Sequence, residues 1–406
     1  MRRVAFWFPH NPYPAVAGAH RRCVSILESL RELDCSVTFL SSTFAVDPWT
    51  DASVVELKQS LVSDVVIYRV PTFEMQVHRL AVRWARLRSR AGRPSLDSWA
   101  AVTPGLRSWT RQQIDVIEPD VVFSSYAQFD PIVPHSARPT VIDAVDFVSV
   151  SQAMFNRLVP VFATKTPLST RDVPPEVLSE GYLLDAQRVT RRELELYDRY
   201  LHTLAISRLD AATIEEQTSF TKVSYVPLTA PVVDVDNTYE GAPVFVGGAN
   251  PFNLQGLMWF ARHVLPTVRA RVPDFELEVL GRTFAPWAAD EGIALRGYVR
   301  DLVPVYCSAA FAICPLLSGT GQQVKIVDAM AHGVPVVATA LPARSSPIVD
   351  GENGFVASTA EELADRVELL WRDRTLCRSL GAAARHTIAT ELSPSRTTAE
   401  LEAILG

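Results

Sequence analysis

Lys325 and Asp328 follow directly on a glycine-flanked turn in the stretch "SGTGQQVKIVDAMAHGVPVVAT", residues 318–339. A turn running from Ser318 to Gly321 into a helix presents unpaired N–H groups and the positive end of the helix dipole, which together favour an anion. Lys325, in the first helical turn, adds an ammonium. Asp328, at i+3, lies on nearly the same face and offers a carboxylate to hydroxyl donors. The pair suits a ligand carrying both phosphate and hydroxyls, and a diphosphate fits the turn. An ordinary solvated i,i+3 ion pair would use the same two residues and contribute only ~0.2–0.5 kcal/mol. Here the flanks Val324, Ile326, Val327 and Met330 are apolar, and "FAICPLL" precedes the turn. Only Lys58, Lys165, Lys222 and Lys325 are lysines among the 39 basic residues. A cleft-facing pair is therefore expected.

Competing ligand motifs fail on their spacing. A dinucleotide fingerprint needs G-x-G-x-x-G, and Gly319-Thr320-Gly321-Gln322-Gln323-Val324 ends in valine; the Gly-Lys of a Walker loop is absent. No His, Cys or carboxylate group has metal-ligand spacing. The expectation is metal-independent chemistry without a cofactor, with the helix start and Lys325 neutralising a leaving diphosphate. His332, beside Gly333, reads as a helix C-terminal residue.

The elements that must position these residues alternate in type. Short β-branched runs and longer helical patterns follow one another along the whole chain, as in βαβ units with parallel sheets. "RRVAFWF", "AHRRCVSILESLREL" and "CSVTFLSS" form the first such unit, followed by strands at "DVVIYRV", "PDVVFSS" and "PTVIDAV". A charged helix is expected at "DAQRVTRRELELYDRYL". A second series has strands at "VFVGG", "ELEVLG", "ALRGYV", "FAICPLL", "VPVVATA" and "GFVAS", with one long helix over "LQGLMWFARHVLPTVRARV". The boundaries read as an N-terminal Rossmann-like domain at 1–228, a linker at 229–243, a second Rossmann-like domain at 244–390 and a C-terminal helix at 391–406. Two such domains would place their sheets' carboxyl ends on a central cleft.

With 406 residues, 48% of them hydrophobic and 21% charged, the chain is expected to fold as two globular domains; the net charge of −6 argues against nucleic acid as the main partner. The five scattered cysteines read as buried thiols in a reducing compartment. The start "MRRVAFWFPHNPYPAVA" imitates a signal peptide, but Val4 to Phe8 is only five residues long, against the roughly 7–15 of a true apolar region. With no run of about 18 apolar residues, the expected location is cytoplasmic, with or without peripheral membrane contact.

Over 243–375 the chain resembles retaining family 4 glycosyltransferases of GT-B fold, through "FVGGANPFNLQGLMWF", "GYVRDLVPVYCSAAFAICPL" and "GTGQQVKIVDAMAHGVPVVAT". In the N-terminal half, "FPHNPYPAVAGAHRR" resembles the family's first loop, and "VIDAVDFVSVS" is similar to the corresponding loop of bacterial exopolysaccharide sugar transferases. The resemblance implies a nucleotide-sugar donor. Asp328 takes the place of the second glutamate of the family's E-x7-E motif, which binds the donor ribose, and Thr320 takes the place of the first. Sugar-hydroxyl recognition at that site is then either altered or passed to the backbone from Gly319 through Gly321 to Gln322. Gly248 and the stretch Asn250 to Gln255 replace the family's basic loop, leaving Lys325, helped by Arg282 or Arg300, to neutralise the diphosphate. Gly18 in the first loop would let backbone approach the donor phosphates. Where the family has a histidine, this chain has Val145-Asp146, so Asp143 and Asp146 are the polar candidates for the acceptor or the reacting sugar. A buried strand-end carboxylate is an equal reading of Asp143. His10 and His20 lie in or beside the first loop.

"VHRLAVRWARLRSRAGR" places Val77, Leu80, Trp84 and Leu87 on one helix face and Arg79, Arg83, Arg86 and Arg90 on the other. Such a helix either lies on an anionic membrane or packs on its own domain with solvated arginines. The reading is transfer of a sugar from a nucleoside diphosphate to an unidentified acceptor, with retention implied by the resemblance. Two alternatives remain: a non-hydrolysing nucleotide-sugar epimerase, and a catalytically silent nucleotide-sugar-binding protein.

Overall fold

The computed structural model describes residues 1–15, 17–44, 48–90, 102–135 and 138–406, the side chains of 82 and 85–90 excepted. The chain forms two α/β units. The first comprises Met1–Val150, Val189–Thr229 and Pro394–Gly406; the second comprises Ser151–Arg188 and Ala230–Ser393.

Among the described residues the first unit is built on seven strands: β1 (Arg2–Trp7), β2 (Cys35–Ser42), β3 (Asp64–Tyr68), β4 (Val121–Ser125), β5 (Thr140–Asp143), β6 (His202–Ala205) and β7 (Lys222–Tyr225). They lie in the order β3-β2-β1-β4-β5-β6-β7, and every pairing is parallel. β1 is buried on both faces from Val4 to Trp7, as a central parallel strand must be. Phe6 stacks on Phe39 of β2 and Phe123 of β4 at 5.9 and 5.8 Å between centroids. The helix Gly18–Glu32 buries Cys23, Ile26, Leu27 and Leu30, the i, i+3, i+4, i+7 stripe of an amphipathic crossover. Leu401 and Leu405 of the last helix, Pro394–Leu405, join the same core. The strand order reverses between β1 and β4, so the crevice for a ligand opens where those two strands end.

The second unit repeats the plan with β8 (Val244–Val246), β9 (Leu277–Leu280), β10 (Ile293–Gly297), β11 (Ala312–Cys314), β12 (Val336–Thr339) and β13 (Gly354–Ala357). Their order is β10-β9-β8-β11-β12-β13, again parallel, and the reversal falls between β8 and β11.

The observed organisation departs from the sequence expectation in three places. Residues 151–188 sort with the second unit rather than the first: Leu168 exchanges backbone hydrogen bonds with Pro286 and Ala288, and Gln255 Nε2 donates to the Val177 carbonyl at 2.8 Å. The charged stretch from Asp185 to Leu201 is not one helix. A 3-10 turn at Leu184–Ala186 ends, and a new helix, Arg191–Tyr197, starts at Thr190, whose side chain accepts the Glu193 N–H. The helix expected over 254–272 runs as Pro251–Trp259, a π-helical stretch Phe260–Val264, then Leu265–Arg271. Pro266 explains the break, because it cannot donate to the carbonyl four residues back and the helix widens to keep its other bonds.

All five cysteines are free, with Cys23, Cys314 and Cys377 buried. Among the described residues no helix is long and apolar enough to cross a membrane.

Candidate active site

In the second unit Gly248, after β8, and Lys325, after β11, meet at the strand reversal. The helix carrying Lys325 runs from Val324 to Ala331, and Gln323 at its start makes no side-chain cap. Its first N–H groups are therefore not claimed by a cap, as an anion site requires. The turn before it is held open by backbone geometry that favours glycine: φ is +133° at Gly319 and +63° at Gly321. Ser318, 1% exposed, anchors the turn by donating to Gln255 Oε1 at 2.6 Å. From the other side, Thr339 donates to the Leu316 carbonyl at 2.5 Å. Gln322 is buried, while Thr320 and Asp328 are half-buried.

Lys325 is half-buried and sits across the two strands that flank the reversal. Its Nζ lies 5.0 Å from the Phe245 ring centroid of β8, and burial lowers its pKa, opposed by Cys314 at the end of β11. Lys325 Nζ donates to Asn253 Oδ1 at 2.7 Å, and Asn253 Nδ2 donates to the Gly248 carbonyl at 2.9 Å. The structure thus joins Gly248 to Lys325 through Asn253, and the Gly319 to Gln322 turn directly precedes the Lys325 helix in the chain. In the sequence Asn253 reads only as part of a stretch that lacks basic residues. Its signal is the "NPFN" start of a helix one residue after "FVGG".

Arg282 and Arg300 are not drawn in. Both are exposed and neither has an ion-pair partner among the described residues. Arg282 follows β9, one strand from the reversal, and Arg300 follows β10 at the sheet edge.

The first unit has its own convergence at the ends of β1, β4 and β5. Gly18 opens the Gly18–Glu32 helix, and Ala17 supplies no side-chain cap. Phe8, His10, His20 and Tyr126 form an aromatic cluster with centroids 5.6–6.4 Å apart. Tyr126 and Val145, the first residue past β4 and the second past β5, adopt φ of +67° and +54°. Strained backbone of this kind costs about 1–3 kcal/mol per residue and gathers at functional sites. Burial, followed by the charges of Asp146 and Asp143, pushes the Tyr126 phenol well above its usual range.

Asp143 does not offer its carboxylate to an acceptor. It is 2% exposed, and Arg22 Nε lies 2.7 and 2.9 Å from its two oxygens, with Nη2 2.7 Å from Oδ1. The buried strand-end reading is the one the geometry supports, because both oxygens are committed. Asp146 is half-buried beside the Val145 corner.

Residues 242–373 match the family model described as "Glycosyl transferases group 1". Over 149 residues the chain is 27% identical to an uncharacterized 44.6 kDa protein in the cps region of Klebsiella pneumoniae, covering 33% of this chain and 38% of that one. Over 141 residues it is 30% identical to a GDP-mannose-dependent alpha-(1-6)-phosphatidylinositol monomannoside mannosyltransferase of Mycolicibacterium smegmatis, covering 30% and 37%. The matches thus span less than two fifths of these relatives' length. Among solved structures, sucrose-phosphate synthase from Thermosynechococcus elongatus superposes with a TM-score of 0.65 at 12% identity, covering 100% of this chain and 98% of that one. Anabaena HepE in complex with UDP-glucose superposes with a TM-score of 0.61 at 14% identity, covering 100% and 99%. The fold is GT-B, with two parallel-sheet α/β domains. Within it, the second unit is the part that resembles group 1 glycosyltransferases.

Proposed function

We propose that the protein is a glycosyltransferase that moves a sugar from a nucleoside diphosphate donor to an acceptor hydroxyl, with retention at the anomeric carbon. The observation that carries this reading is the Gly248–Asn253–Lys325 chain beside an uncapped helix start at a strand reversal. A diphosphate would take N–H groups at the helix start and the Lys325 ammonium, and Asp328 would accept from the ribose hydroxyls. A Cβ at Gly248 would meet nothing within 4 Å, so folding does not require glycine there and close approach of a ligand gives it a reason. In the reaction, the bond from the anomeric carbon to the leaving phosphate oxygen breaks, a bond to the acceptor oxygen forms, and the acceptor hydroxyl's proton passes to the departing diphosphate. The positive charge around Lys325 stabilises the departing diphosphate without a divalent ion. With Asp143 held by Arg22, Asp146 is the carboxylate proposed to hold the acceptor.

Support for a nucleotide-sugar donor comes from the GDP-mannose-dependent relative and the UDP-glucose complex of the Anabaena protein. Support for a role in polysaccharide assembly comes from the relative in a cps region. A peripheral membrane contact is proposed for the helix Thr72–Arg90, whose Phe73, Val77, Leu80 and Trp84 are 74%, 45%, 63% and 48% exposed on one face. Arg79 and Arg83 are exposed as well, while the side chains of Leu87, Arg86 and Arg90 lie outside the described residues. Incubation with labelled nucleotide sugars tests the activity. Transfer or donor hydrolysis supports the proposal, an epimerised donor would make the protein an epimerase, and binding without turnover would make it a silent binding protein.

A further inference from the structure

We infer that Arg22 and Asp143 are positioning residues: a buried clamp that holds the two strained corners after β4 and β5 and thereby sets Asp146 against the acceptor. Asp143 is the hub of both corners. Its main-chain carbonyl accepts the Tyr126 N–H at 3.0 Å, and its Oδ1 accepts the Val145 N–H at 3.3 Å. These two amides belong to the residues with φ of +67° and +54°. A corner in this conformation persists only where its surroundings over-determine it. Arg22 supplies that determination, being 1% exposed and bonded through Nη1 to the Val226 carbonyl at 2.6 Å while Nε donates to both Asp143 oxygens and Nη2 stands 2.7 Å from Oδ1. One guanidinium therefore ties the first crossover helix to the ends of β5 and β7. Asp146, whose N–H donates to the Ala144 carbonyl at 2.5 Å, is one residue beyond the clamped corner. A pair needed only for stability could be replaced by apolar residues of similar volume, since buried ion pairs are often exchanged without loss. The clamp predicts the opposite for turnover.

The inference rests on the glycosyltransferase reading, with Asp146 on the acceptor side, and the test separates the two. The full-length protein is compared with Arg22→Lys, which keeps the charge but loses the fork, and with the double variant Arg22→Met with Asp143→Leu, which leaves no buried charge unpaired. Each is assayed for transfer well below its own melting temperature, with UDP affinity measured by calorimetry. The clamp predicts that kcat falls about tenfold or more in both variants, while UDP affinity stays within about twofold. A double variant that folds and retains wild-type kcat overturns it. If the wild type turns over no nucleotide sugar, the activity reading fails by itself and hydrogen exchange decides the clamp. Faster exchange in Arg22→Lys confined to the amides of Tyr126, Val145 and Asp146 supports it; unchanged or protein-wide exchange overturns it.

Discussion

Lys325 and Asn253 are joined by a 2.7 Å hydrogen bond that crosses from the helix after β11 to the helix after β8. An ammonium has three donors, and among the described residues this bond engages one of them. The contact holds a charged group at the strand reversal, half-buried and over an aromatic face. Burial of such a charge weighs against folding, and a bound anion would offset that cost.

Lys325→Met should therefore separate stability from binding. Burial lowers the lysine's pKa from 10.5, so its charged form weighs against folding at neutral pH. That cost is fully present below the folded pKa and fades as pH rises through 10.5, where the unfolded chain also loses its proton. The variant should melt no lower than the wild type at pH 7, with any gain shrinking toward pH 10.5, yet lose the thermal shift produced by UDP. Scanning calorimetry with and without UDP checks both. A lower melting temperature with an undiminished UDP shift would contradict it.

Gly248 and Gly281 should behave in opposite ways when each is changed to alanine. A Cβ at Gly248 meets nothing within 4 Å, whereas at Gly281 it would stand 1.8 Å from the Gly247 carbonyl oxygen on backbone at φ +114°. Gly248→Ala should leave folding unchanged or stabilise it by about 0.4–1 kcal/mol, while weakening nucleotide-sugar binding. Gly281→Ala should destabilise the second unit outright. Urea unfolding and calorimetric titration of both variants give the comparison.

The parallel-strand pattern made most of this legible beforehand, because strands such as "VAFWF" and "FAICPLL" are continuous apolar runs that only doubly covered sheets use. The Lys325 helix was readable from its glycines and its unusual lysine. Partners distant in sequence were not readable. The Arg22–Asp143 pair spans 121 positions and the Lys325–Asn253 bond spans 72. Neither residue type announces its partner by local spacing, so Asp143 read equally as a site residue and a buried one. The placement of 151–188 depends on Gln255 and Trp287 contacts that no periodicity encodes.

The exposed face of Thr72–Arg90 should bind anionic bilayers through its arginines. Arg79, Arg83, Arg86 and Arg90 changed together to glutamine should reduce sedimentation with phosphatidylglycerol vesicles at low salt, while donor hydrolysis persists. Indifference of the wild type to such vesicles at low ionic strength would remove the membrane contact from the account.

Asp328 offers the most direct test of a nucleotide at the Lys325 helix. Asp328→Asn keeps the shape of the side chain but gives up charge-assisted hydrogen bonds, worth roughly 1.5–3 kcal/mol each. Calorimetric titration of wild type and variant with UDP and with its 2′,3′-dideoxy analogue isolates the ribose contact. The account predicts a loss of about tenfold or more for UDP, at roughly 1.4 kcal/mol per decade, and almost none for the dideoxy compound. Equal losses on both ligands, or none on either, would contradict the assignment of this helix to the donor ribose.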